Sequence, residues 1–419
     1  MKIHKSLFVV SLIVAGTLGL QAQTAPASPA ATPTPSPRAP LMAGLDQLGA
    51  AQPLDALRLN NYGYAEGGYF YDASAPKSNG PTYIGFNSFK NTAILDKIDL
   101  TFERTVDPTK KQFDIGYHAE GIWGADAALI HSNGMGDTQT GRNQGDIVQA
   151  YVDFAAPGIP LRVRAGKWIE LAGFEQFSAN IYGAFGDPSR ALYSYSYQFL
   201  YAEPGTQTGI LATYVLNGQW SFDAGATRGW NQSLHANKGN PDFLGRITWT
   251  PSDKTAVIFV MTEGPEFPAG VGPNQPPRDN SDLWTALDLV VTQKVTDNLS
   301  LGLGFDYVYS PHIPGVGSGQ QWGGVAGYVS YAIDPHFTFN TRLEWYGDRS
   351  GFGSGATGFG IINFYEATVG LAIKPLPKDT VLSHLLIRPE IRYDDSNRPA
   401  FGRGNRNQLS LAVGVLFTF

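Results

Sequence analysis

Arg388, Glu390, Arg392 and Asp394 occupy every second position of one short segment near the C-terminus. In an extended strand successive side chains point to opposite faces, so these four share a face with Leu386. Leu385, Ile387, Pro389, Ile391 and Tyr393 form the other face. The split recurs over 337–347, where Asn340, Arg342, Glu344 and Tyr346 oppose Phe337, Phe339, Leu343 and Trp345. Arg162 and Arg164 make a second basic pair at the same spacing, and Glu170 and Glu175 follow shortly after. Fixed charges of both signs that face one wet space tune which ions and polar solutes pass through it. The nine residues Arg162, Arg164, Glu170, Glu175, Arg342, Glu344, Arg388, Glu390 and Arg392 are therefore the expected selectivity residues.

Other chemistry finds little support. The 7 histidines are scattered, and none has metal-ligand spacing to a carboxylate; His118, beside Glu120, falls on an expected inner face. The chain has no cysteine, which excludes disulfides and thiolate metal sites. Gly353-Ser-Gly-Ala-Thr-Gly358 spells a dinucleotide fingerprint, but that motif needs a following helix. The pattern from Ile362 onward is that of a strand, so 353–358 reads as a flexible loop. Asp394-Asp395-Ser396-Asn397 reads as a solvated turn rather than a cation site. A net charge of −6 gives no basic footprint for nucleic acid. No cofactor and no metal is implied.

Which way the charged faces point depends on the medium outside. A soluble sheet turns charge to water and aliphatics to a core. A membrane barrel does the reverse, because an Arg facing lipid at the bilayer midplane costs roughly 2–4 kcal/mol. The final segment, 408–419, favours the barrel. Leu409, Leu411, Val413, Val415, Phe417 and Phe419 share one face; Gln408, Ser410, Ala412, Gly414 and Thr418 lie on the other, with Leu416 the sole large apolar residue there. A tilted strand of about ten residues crosses a hydrocarbon core. The last strand of a soluble sandwich is the competing reading of this segment alone.

About sixteen segments repeat the period-two pattern: 59–71, 95–104, 113–123, 147–154, 161–168, 208–216, 220–230, 243–250, 255–262, 283–295, 299–309, 322–333, 337–347, 362–373, 384–394 and 408–419. Short connections built from Pro, Gly, Asn and Asp, such as 106–110, 156–160, 217–218, 251–253, 296–298 and 334–336, carry turn residues. Between them fall long ones: 72–94, 131–146, 169–207, 231–242, 263–282, 310–321, 348–361 and 395–407. Short periplasmic turns alternating with longer external loops characterise outer-membrane barrels. The expected fold is all-β, a transmembrane antiparallel barrel over 57–419.

Residues 1–22 read as a secretory signal, with Lys2 and Lys5 ahead of an apolar run too short to span comfortably. Residues 23–40 are rich in Ala, Pro, Thr and Ser and read as an extended linker. Leu41, Leu45 and Leu48 suggest a short amphipathic helix, so 23–56 is taken as linker and leader.

The third long connection, 169–207, has no clean strand pattern. Loops this long are usually functional or disordered. Its aromatics, Phe174, Phe177, Tyr182, Phe185, Tyr193, Tyr195, Tyr197, Phe199 and Tyr201, are too numerous for a solvated loop. It is expected to fold toward the lumen, where Glu170, Glu175 and Asp187 would oppose wall residues Arg342, Arg388 and Arg392 in a transverse field. Deleting 173–188 should then raise single-channel conductance.

Several motifs resemble one family. Arg388-Pro389-Glu390-Ile391-Arg392-Tyr393-Asp394, Gly173-Phe174-Glu175, Asn180, Ser194-Tyr195-Ser196-Tyr197, Thr206–Gly209 and Tyr62–Gly68 are similar to motifs of the OmpL-like β-barrel porin-2 group. The resemblance spans most of the chain after about residue 53. It implies an outer-membrane channel and identifies no solute; 183–190 looks inserted relative to the family. The expected function is passive diffusion of small hydrophilic solutes or ions across the outer membrane of a Gram-negative bacterium. The expected partners are the lipid bilayer and those solutes, with a homo-oligomer compatible. A plugged, non-conducting structural or adhesive barrel is the alternative. An outer-membrane lipid or glycan hydrolase is the more distant one.

Overall fold

In the computed structural model, residues 40–77, 82–87, 89–106, 112–178, 191–234, 241–266, 283–313 and 315–419 are described. The expected signal and linker over 1–39 lie outside them, as do Asn180, Tyr182, Phe185 and Asp187.

Sixteen strands close into one antiparallel barrel: β1 (Leu59–Asp72), β2 (Thr92–Arg104), β3 (Asp114–Gly124), β4 (Gln144–Ala155), β5 (Leu161–Ile169), β6 (Thr206–Val215), β7 (Trp220–Thr227), β8 (Asp242–Ser252), β9 (Thr255–Pro265), β10 (Leu283–Lys294), β11 (Leu299–Ile313), β12 (Gly317–Ala332), β13 (Phe337–Asp348), β14 (Ile362–Ile373), β15 (Leu385–Ser396) and β16 (Asn407–Thr418). Each strand pairs with its sequence neighbours, and β16 returns to β1 with Tyr64 opposite Thr418 and Asp72 opposite Ser410. Phe419 and Gly63 exchange peptide hydrogen bonds at 2.8 Å, sealing the seam at the chain's last residue. Closure leaves no unpaired edge, which a sheet inside hydrocarbon requires.

The alternation is inside-out relative to a soluble core. On β15, Arg388, Glu390, Arg392 and Asp394 are buried, while Ile391 and Tyr393 are 50% and 47% exposed. On β13, Arg342 and Glu344 are buried, and Phe337, Phe339, Leu343 and Trp345 are exposed. Aromatics gather at both ends of this outward band: Trp345, Tyr365 and Tyr393 at one end, Phe113, Tyr214 and Trp249 at the other. Such girdles sit at the two bilayer interfaces.

Three connections differ from expectation. The link expected over 310–321 is a tight hairpin: β11 and β12 stay paired to His312–Ser318 and Ile313–Gly317. Gly315 and Gly317 take positive φ there, which lets a short turn replace a long loop. β7 stops at Thr227 instead of running to Trp230, because Gly229 (φ 105) and Asn231 (φ 55) leave extended geometry. The link between β14 and β15 is long although it lies on the short-turn side, and Asp379 stabilises it by accepting from the Val381 and Leu382 N–H groups.

Two short helices, α1 (Pro40–Gln47) and α2 (Ala51–Ala56), pack against β1, with Met42 and Ala51 buried. The stretch 353–358 forms turns ahead of β14 with no helix behind it.

Candidate functional site

The third loop, 170–205, leaves β5 and returns to β6 with its feet joined, the Glu170 N–H donating to the Gly205 carbonyl at 3.3 Å. Its returning arm carries α3 (Tyr197–Tyr201), capped where the Ser196 hydroxyl accepts from the Phe199 N–H at 3.2 Å. (A further helical turn, Ala127–Ile130, lies between β3 and β4.) The arm lies on the inner wall, and the wall charges bind its backbone.

The pairing follows the peptide groups in order. Arg388 donates to the Leu192 carbonyl at 3.1 Å, and Glu390 accepts from the Tyr193 N–H at 2.7 Å and the Ser194 N–H at 3.1 Å. Arg342 donates to the Ser194 carbonyl at 2.9 Å and Arg392 to the Tyr195 carbonyl at 2.6 Å. Glu175, from the loop's outgoing arm, accepts from the Ser196 N–H at 2.7 Å. Glu344 accepts from the N–H groups of Tyr197 and Gln198, both at 2.7 Å. Charge-assisted bonds of this kind are roughly twice as strong as neutral ones. The same residues are cross-paired: Arg342 with Glu175 at 2.5 Å and Glu366 at 2.9 Å, Arg388 with Glu66, and Arg392 with Asp394 at 2.9 Å.

Aromatic side chains anchor the loop in recesses made by inward glycines. The Tyr193 ring fills the space over Gly68 on β1 and Gly414 on β16, where any Cβ would collide with it. Phe174 does the same over Gly302 on β11 and stacks on Tyr328 at 3.9 Å between centroids. Phe177 covers Lys97, whose Nζ lies 3.6 Å from the ring centroid. Tyr193 and Tyr197 donate their hydroxyls to Asp96 and Asp394 at 2.9 and 2.7 Å.

Of the nine sequence-derived residues, six thus meet at this contact. Glu175 touches Arg342 directly, so the two do not face each other across water. Arg342, Arg388 and Arg392 are 0%, 1% and 1% exposed. Glu170 is buried at the loop's foot. Burial, and secondarily the Glu120 charge, pushes its carboxyl well above the ordinary carboxylate range.

The other two, Arg162 and Arg164, stand on a different wall. There arginines reach water while their acids stay covered. Arg162 lies 3.7 Å and Arg164 2.9 Å from Asp153; Arg246 lies 2.7 Å from Asp223; Arg58 and Arg104 share Asp114 at 2.5 and 3.0 Å. The side chains of Arg58, Arg104, Arg162 and Arg246 are 23–31% exposed, against 0–10% for the three aspartates, while Arg164 at 11% is covered like its partner Asp153. Sequence reasoning did not single out Arg58, Arg104 or Arg246, although the strand parity of Arg246 marks it as inward. Three further carboxylates, Glu203, Asp288 and Asp306, cluster where the loop's return meets β10 and β11.

Residues 58–419 match the family model described as "Putative beta-barrel porin-2, OmpL-like". The chain belongs to this family. No curated protein matches it. Among solved structures it is similar to the anion-selective porin of Comamonas acidovorans, at 10% identity and TM-score 0.55, covering 86% of this chain and 99% of that one. It is also similar to Pseudomonas putida OprB, at 13% identity and TM-score 0.56, covering 89% and 97%. Salmonella typhi OmpF in complex with daunomycin matches at 11% identity and TM-score 0.55, covering 86% and 97%. At these identities the structural likeness concerns the fold. The sixteen-stranded barrel and the family match together make the chain an outer-membrane porin of bacteria.

Proposed function

We propose that this porin passes small hydrophilic solutes along the β2–β8 side of its lumen and favours anions. The observation that carries this reading is the arginine arc: Arg162 and Arg246 stand at inward strand positions, 30% and 23% exposed, over Asp153 and Asp223 at 10% and 0%, with Arg164 beside them. A solute moving past meets the exposed cation more strongly than the covered anion, because screening by water falls with burial. On the opposite wall the charges of Arg342, Glu344, Arg388, Glu390 and Arg392 are consumed by the loop and act on solutes only by holding it. The loop occupies one side of the lumen and so sets the width on the other.

Planar-bilayer recording in a KCl gradient tests this. The wild-type protein should show discrete steps and a reversal potential on the chloride side. Arg162→Ala with Arg246→Ala should move that potential toward zero with the steps retained. A cation-side potential in the wild-type protein would reject the anion preference, and the absence of steps would reject conduction itself.

A further inference from the structure

Nearly every inward acid described above is answered by a cation or by peptide N–H groups: Glu366 by Arg342, Asp153 by Arg164, Asp223 by Arg246, Asp114 by Arg58 and Arg104, Glu344 and Glu390 by the loop backbone. Among the described residues Glu203, Asp288 and Asp306 are answered by no cation, and Asp288 has only the Gly173 N–H to accept from. Glu203 comes from the loop's returning arm, and Asp288 on β10 sits directly opposite Asp306 on β11. One oxygen from each lies within 4.8 Å of the others, and all three residues are more than nine-tenths buried. Among the described residues none of the three has a Lys, Arg or His partner. A second observation points into the cluster: Glu203 Oε2 is covered from water and meets no hydrogen-bond donor among the described residues. Like charges directly opposite on paired strands are destabilising, and buried carboxylates without compensation are more so.

We propose that Glu203, Asp288 and Asp306 bind a divalent, oxygen-preferring cation, Ca2+, that fastens the returning arm of the third loop to β10 and β11. Ca2+ takes carboxylate and water oxygens at about 2.3–2.6 Å, so two ligands on one ion stand up to about 5 Å apart. The 4.8 Å limit on the trio fits that span. The set holds neither imidazole nor thiolate, which turns it away from zinc and copper. Gly173 lies against the Glu203 carboxylate, and a Cβ there would occupy the carboxylate's own position. The outgoing arm therefore leaves room for Glu203 to reach the two aspartates. Gln198, whose side-chain oxygen sits over Gly304 on the inward face of β11, brings a neutral oxygen to the same stretch of wall. The site does not depend on which ions the pore conducts.

The test uses the full chain refolded from inclusion bodies into detergent, stripped with EGTA and freed of lipopolysaccharide. Calorimetric titration with CaCl2 should show a single ion bound per chain, and added Ca2+ should raise the temperature of unfolding. Asp288→Asn and Glu203→Gln should each weaken binding by roughly tenfold or more, since each removes a charged ligand. Folding of each variant is checked by its heat-dependent gel mobility. Glu203→Gln changes a loop residue and keeps the test open if Asp288→Asn fails to fold. No heat and no thermal shift with millimolar CaCl2, a response to MgCl2 alone, or unchanged binding in both variants would each overturn the proposal. None of these outcomes bears on conduction, which the bilayer recordings decide separately.

Discussion

Arg342 on β13 is held between Glu175 of the third loop at 2.5 Å and Glu366 of β14 at 2.9 Å, with no part of its side chain open to water. Removing one member of a buried pair leaves its partners uncompensated, at a cost of roughly 3–5 kcal/mol. Arg342→Ala should therefore lower the unfolding free energy obtained from urea titration in detergent micelles by an amount of that order. A loss below about 1 kcal/mol, the median for exposed pairs, would show that water reaches this site.

The Tyr193 ring rests on Gly414 and Gly68. Gly414→Leu should expel the ring and loosen the loop, giving a higher and noisier single-channel conductance in the folded protein. Gly327→Ala on β12 places a methyl where nothing lies within 4 Å, and it should leave the conductance unchanged. Equal behaviour of the two variants would refute the recess.

Asp223 accepts from Arg246 at 2.7 Å and from the Thr213 hydroxyl at 2.5 Å. Neutralising the covered acid while keeping the exposed arginine should strengthen chloride preference, opposite in sign to the arginine substitutions. Asp223→Asn is thus expected to shift the KCl reversal potential further to the chloride side by several millivolts, the scale set by one charge among several. A shift toward zero would contradict the arginine arc.

The Glu170 carboxyl lies at the loop's foot with its proton affinity raised by burial. A carboxyl whose folded-state pKa exceeds its unfolded value favours folding below the unfolded pKa, near 4.3, and loses that advantage as pH rises. The loss is up to about 1.4 kcal/mol per pH unit until the folded-state value is passed. Glu170→Gln carries no such term. Its urea midpoint should match the wild-type protein near pH 4 and exceed it increasingly toward pH 8. Parallel midpoints across that range would mean that Glu170 is ionised in the folded protein.

The barrel itself was legible because its two faces differ so sharply in chemistry. Arg388 and Ile387 are adjacent in sequence, and strand alternation puts them on opposite faces; the run of sixteen such segments with alternating short and long connections then favours a lipid-coated wall over a soluble sheet. The use of each inward charge was not legible. Arg164 and Arg388 look alike as sequence, each alternating with apolar residues on its strand. Their difference arises from contacts such as Arg388 to the Leu192 carbonyl, 196 residues away, which no local pattern encodes. The abundance of aromatics in 170–205 did signal a docked loop, and the inward glycines at 68, 302 and 414 were the matching half of that signal. The hairpin joining β11 and β12 was missed because its residues are polar and glycine-rich, as an external loop's are, while its backbone remains paired.

The seat of Tyr193 is assembled from the first and last strands of the molecule, Gly68 contributing one half and Gly414 the other. An incomplete sheet, however many strands it has gathered, lacks this socket. The Tyr193 ring can therefore be seated on both sides only once β1 and β16 have met, which ties this one anchor of the loop to the closing of the ring.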